Sequence, residues 1–128
     1  MGITYSYDPA KNRLQTVCAG EVRLVDVVNH FHLLSLDTLV RPSADVLLDL
    51  RTITTIPEPE QVPTLTEAIA RLAARRPFGR CAVLVDGAAP FEAGHIFMSQ
   101  TGAQFVDARL FTEPVAAVDW LDAAVTRS

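Results

Sequence analysis

Two short apolar runs, each ending at an aspartate, punctuate the middle of the chain: Asp45-Val-Leu-Leu-Asp-Leu-Arg51 and Arg80-Cys-Ala-Val-Leu-Val-Asp-Gly87. A strand that reads apolar without alternation is covered on both faces, as in parallel α/β sheets. Upstream, Ile3 to Tyr7 and Leu14 to Ala19 are rich in β-formers. The turn residues Asp8-Pro9-Ala-Lys-Asn12 separate them, which predicts an antiparallel hairpin closed by Gly20. A helix is predicted from about Val22 to Leu39, ended by Arg41-Pro42. After the strand Val46 to Leu50 and a loop over Thr52 to Gln61, helical spacing of Val62, Leu65, Ile69 and Leu72 predicts a helix to Arg76. Glu67 and Arg71 are placed to pair on its outside.

The strand Cys81 to Val85 leads into a third helix, Pro90 to Thr101, and a last strand, Gln104 to Phe111. Thr112 fits an N-cap, with Glu113 and Pro114 opening a helix that ends near Val125. That helix is expected to dock through Val115, Val118, Leu121 and Val125, with Trp120 on its flank. The order is ββαβαβαβα. Crossovers of this length imply one α/β domain over residues 1–128, with a mixed, mostly parallel five-stranded sheet and helices flanking it. The pattern leaves the order of strands in the sheet open.

Composition supports that picture. A chain of 128 residues, 49% apolar and 20% charged, can bury a core without metal or disulfides. Its net charge of −4 argues against nucleic acid as the partner. No apolar run approaches the roughly 18 residues of a membrane span, and Met1-Gly-Ile-Thr-Tyr5 has no leader pattern, so the expected location is the cytoplasm. Cys18 and Cys81, in predicted strands and outside any CxxC, fit reduced buried thiols; a disulfide or a nucleophile is the alternative.

The first helix is apolar over most of its circumference. At about 100° per residue, Arg23, Asp26, His30 and Asp37 share one arc, and Leu24, Val25, Val27, Val28, Phe31, Leu33, Leu34, Leu36 and Leu39 cover most of the rest. A helix on a sheet needs a stripe of only about 100°. The excess is covered by a second subunit, with Leu33 and Leu36 as interface candidates, by an apolar ligand, or by deep wedging between neighbours. His32 projects into the apolar arc, as a core side chain or a ligand contact, and His30 lies on the polar side.

Asp49 and Asp86 end the two apolar runs, and ligands of α/β folds bind beyond the carboxyl ends of strands. Asp49, Arg51, Thr52, Thr54 and Asp86 are therefore site candidates, joined by His95 on the third helix. Two carboxylates there also suit acid–base or Mg²⁺ chemistry, but loop and helix capping is the favoured account, because no nucleophile, third carboxylate or glycine-rich loop accompanies them. No His, Cys, Asp or Glu spacing suggests a metal, no glycine-rich phosphate loop occurs, and nothing calls for a cofactor.

Gly20-Glu-Val22, Val46-Leu-Leu-Asp-Leu50, and Phe111 through Val118-Asp-Trp-Leu121 together resemble a STAS-type domain of the SpoIIAA-like group, over essentially the whole chain. The resemblance implies a small non-enzymatic module that switches protein partners or binds apolar ligands. It also implies a phosphorylatable serine after the Val46–Leu50 strand. Here that stretch reads Thr54-Thr-Ile-Pro-Glu-Pro-Glu60, with Glu58 and Pro59 at the expected positions, so the chain resembles a variant without the switch. The leading expectation is a non-catalytic cytosolic interaction or regulatory module acting as a homodimer. The alternatives are a binder of a small apolar or lipid-like ligand beside the first and third helices, and an enzyme using Asp49 and Asp86.

Overall fold

The computed structural model describes residues 2–55, 58–101 and 104–126, with residues 100, 101 and 124–126 described as backbone only. Strands β1 (Gly2–Asp8) and β2 (Arg13–Gly20) form the predicted hairpin. Its turn is held by Asp8 Oδ1, which accepts from the backbone N–H of Ala10 at 3.0 Å, and Asn12 takes the left-handed backbone that closes it. Helix α1 (Leu24–Leu36), β3 (Ala44–Ile53), α2 (Val62–Arg75), β4 (Phe78–Leu84), α3 (Ala88–Thr101), β5 (Asp107–Phe111) and α4 (Pro114–Thr126) follow in the predicted order. A 3₁₀ turn, Pro59–Gln61, leads directly into α2. The expected Glu67–Arg71 ion pair forms on the exposed side of α2.

The strands lie side by side in chain order, β1 antiparallel to β2 and the rest parallel. Right-handed crossovers that always step the same way lay successive helices on one face. Accordingly α1, α2 and α3 cover one face, and α4 turns back over the other. This accounts for the two apolar runs. Val46, Leu48 and Leu50 of β3, with Cys81 and Val83 of β4, enter the larger core under α1–α3. Leu47, Ala82 and Leu84 enter a smaller one with Ala117 and Leu121 of α4.

Several expectations change. The α4 face is set by Ala117 and Leu121, both fully buried, with Val118 beside them; Val115 is 72% exposed and points away. Residues i and i+4 share a face, so once Ala117 and Leu121 meet the sheet, Val115 lies off that stripe. The side chain of Val125 lies outside the described residues. Trp120 does flank the helix, with the guanidinium groups of Arg80 and Arg109 5.0 and 5.3 Å from its ring centroid. Asp49 is inside β3 rather than at its end, because pairing with β2 resumes after a bulge and carries β3 to Ile53.

The α1 helix is rotated relative to the expected arc. His30 is 8% exposed and faces the sheet with Leu34, while His32 is exposed. The strand hairpin supplies the reason: Tyr5 of β1 meets the His30 ring edge-on, 5.6 Å between centroids, and its hydroxyl donates to Asp37 Oδ2 at 2.7 Å. At the same end Arg76 donates from Nη1 to the carbonyl oxygens of Leu34, at 3.0 Å, and Asp37, satisfying carbonyls the helix end leaves free.

Candidate binding site

The larger core is not completely filled. Between α1, α2, α3 and the sheet lies an apolar cavity of about 150 Å³. Its floor is β2 and β3, through Cys18, Leu48 and Leu50; Val27 and Leu34 of α1, Leu65 and Ile69 of α2 and Phe97 of α3 supply the walls. Val22, Arg23, Thr55 and Gln61 line it where α1 begins, and there it shares residues with an open groove that reaches Glu21, Val25 and Glu58. Thr55 ties this end together: its hydroxyl accepts from the Val22 N–H at 2.9 Å and donates to the Val22 carbonyl at 3.0 Å.

The cavity's polar lining divides by whether it is already satisfied. Thr55 is occupied by Val22, and Thr66 donates to the Val62 carbonyl at 3.0 Å. Thr16 and His30 are largely buried and line the cavity, and neither makes a side-chain hydrogen bond among the described residues; their polar atoms keep some accessible surface, whereas the fully enclosed unpaired atom among the described residues is Arg13 Nε. Thr16 pairs with Tyr5 across the hairpin, and Tyr5 touches His30, so the two unsatisfied groups belong to one side of the cavity. Burial pulls the His30 imidazole down to about 4, which keeps it neutral, with one N–H donor and one acceptor nitrogen. The sequence reading missed this pair. Alternation along β2 carries the signal, since Leu14, Thr16 and Cys18 share an inward face and the middle one is polar.

Among the residues singled out from sequence, the fold brings Asp49, Arg51 and Asp86 together. Arg51 grips Asp49 with two hydrogen bonds, 3.0 Å from Nε and 2.8 Å from Nη2. Those bonds hold the Asp49 carboxyl below the usual carboxylate range, and the charge of Asp86 reaches Arg51 as well. Asp49 is two residues on from Leu47 and shares its face of β3, so it lies on the α4 face of the sheet, across from the cavity. Thr52 and Thr54 are exposed near it, and the Thr54 N–H donates to the Gly20 carbonyl at 2.9 Å. His95 is exposed on α3, which covers the other face of the sheet, and does not join the cluster. Leu33 and Leu36 are 57% and 63% exposed, on the outward side of α1 with Val25 and Val28.

Both cysteines are free and buried, and burial pushes the Cys18 thiol up to about 12 and the Cys81 thiol higher still. Among the described residues no three His, Cys, Asp or Glu side chains group as metal ligands. No helix among them is long and apolar enough to cross a membrane.

No protein-family model matches this chain, and no curated protein matches it. Among solved structures it is similar to an uncharacterised protein of the DUF3478 family, with a SpoIIAA-like fold, from Shewanella loihica PV-4. The identity is 18%, the TM-score 0.61, and the match covers 94% of each chain. Five sequential strands with one antiparallel edge, four flanking helices and this end-to-end superposition make the fold of the chain STAS/SpoIIAA-like.

Proposed function

We propose that this chain is a non-catalytic, cytoplasmic binding module whose apolar cavity takes a small apolar ligand or the apolar portion of a lipid-like one. The observation that carries this reading is the unfilled space in the middle of the main core. Interiors are close-packed as a rule, and each void forfeits contacts and stability, so an apolar hollow beside an open groove favours retention for an occupant. A dry apolar cavity of about this size accepts benzene. A larger ligand would extend along the groove at the start of α1. The two free thiols suit a reducing compartment.

The reading assigns no acid–base role to Asp49 and Asp86. A general acid needs a raised carboxyl, and Arg51 pulls Asp49 the other way. Asp49, Arg51, Asp86, Thr52 and Thr54 instead offer a polar patch to a protein partner, with His95 available on the helix side. It also includes no phosphorylation switch, since Glu58 and Pro59 stand where the hydroxyl is expected. Thermal unfolding with saturating toluene tests the cavity. A ligand that binds only the folded state raises the midpoint, and Val27→Phe, which fills the cavity, should abolish the rise. An unchanged midpoint for the parent protein would sink the reading.

A second reading, homodimerisation, is favoured by Leu33, Leu36, Val25 and Val28 on the outward side of α1. Burying each such side chain fully contributes about 1.5–3 kcal/mol, and a twofold contact counts each residue twice.

A further inference from the structure

We propose that His30 and Thr16 are the recognition point of the cavity, and that its ligand is an uncharged, ring-sized apolar compound carrying one hydroxyl-type hydrogen-bonding group. The inference rests on reading the cavity as a binding site. Its own support is separate: two largely buried polar side chains line the same hollow without a hydrogen-bond partner among the described residues, while Thr55 and Thr66, which also line it, are both satisfied by backbone. Their polar atoms are not sealed off as Arg13 Nε is; they belong to the lining of the hollow, and since polar groups inside folded proteins are paired as a rule, each calls for a partner there. A ligand hydroxyl supplies one. It can donate to the acceptor nitrogen of His30, or accept from its N–H, and use its remaining capacity on the Thr16 hydroxyl.

The charge of the ligand follows from the surroundings. The walls are aliphatic and aromatic, the imidazole is neutral, and the one ionic side chain on the lining among the described residues, Arg23, is exposed where α1 begins and lies 3.6 Å from Glu21. A carboxylate or ammonium beside His30 would lose its water without gaining a counter-ion, which is far costlier than burying a hydroxyl with a partner. Size sets the other limit, since about 150 Å³ admits a single ring. The adjoining open groove, about 640 Å³, has neither His30 nor Thr16 in its lining, so any further part of the ligand lies beyond the recognition point.

Phenol and toluene, nearly equal in shape, separate the recognition point from the cavity itself. Titrating each into the ¹⁵N-labelled protein, with amide and imidazole shifts followed by NMR, should show both binding and only phenol moving the His30 ring nitrogens. In His30→Phe, phenol should lose about tenfold or more in affinity relative to toluene, because its hydroxyl is buried unpaired. His30→Gln, which keeps a donor and an acceptor, should restore much of that loss and covers the case in which His30→Phe folds poorly. Toluene and phenol both binding, with a ratio indifferent to His30 and no movement of its ring nitrogens, would overturn the recognition point and leave the cavity reading standing. Neither compound binding would overturn both.

Discussion

Replacing His30 with Phe should remove a pH dependence from the stability of this protein. His30 is 8% exposed, and burial lowers its imidazole from 6.5 to about 4 in the folded state. The unfolded chain therefore binds a proton at a pH where the folded chain does not, and stability must rise with pH across that interval. The contribution of the neutral imidazole is complete above the unfolded value of 6.5 and is lost as pH falls towards the folded value. Linkage with these two values removes about 2 kcal/mol by about pH 5 and about 3 kcal/mol by about pH 4. That is a large fraction of the 5–15 kcal/mol typical of a domain, so it should be plain in urea unfolding curves. Asp37, Asp49 and Asp122 are each held below the carboxylate value of 3.8 by hydrogen-bonding partners. Their contributions are present above 3.8 and are lost only at lower pH, so they leave the interval down to about pH 5 to His30. The phenyl ring keeps the edge-on contact with Tyr5 and cannot titrate. The difference between parent and variant should thus grow by about 2 kcal/mol from neutral pH to about pH 5. Parallel curves, or a His30 ring proton titrating near 6.5 by NMR, would refute the burial argument.

Three further outcomes are expected. Leu121→Ala should cost about 2–5 kcal/mol in chemical denaturation, because Leu121 is fully buried against Leu47, Ala82 and Leu84; a loss below about 0.5 kcal/mol would show that α4 is not packed on the sheet. Leu36→Asp should leave stability within about 0.5 kcal/mol, because the side chain faces outward. Sedimentation equilibrium should then show the parent as a dimer and the variant as a monomer; a monomeric parent at micromolar concentration would rule out the α1 interface. Gly94→Ala should destabilise, since a Cβ there would sit 2.9 Å from Leu110 Cδ2 and 2.9 Å from Val85 Cγ1. Overpacking costs about 1–3 kcal/mol against a helix-propensity gain of about 1, so a stabilised variant in thermal unfolding would contradict the close seat of α3.

Local physics carried much of this protein into its sequence. Covered strands demand apolar runs, turns demand residues such as Asp8 and Asn12, and crossover length demands parallel pairing, so the elements and their order can be read before any contact is known. Asp49 and Arg51 of β3 and Asp86 beyond β4 were legible too, because a charge beside an apolar run stands out. Rotation about a helix axis was not. With apolar residues around most of α1, many orientations bury similar area, and local periodicity does not discriminate among them. The hairpin decided it: Tyr5 on the inward face of β1 meets His30 edge-on and holds it towards the sheet, which turns Leu33, Leu36 and His32 outward. On α4 the same held, since the small side chain of Ala117 lets the helix lie close on the sheet and Val115, despite its hydrophobicity, is left in water. The cavity is a tertiary property altogether. It is the space that three helices leave when they settle on one face of a sheet whose strands follow chain order, and no stretch of sequence contains it.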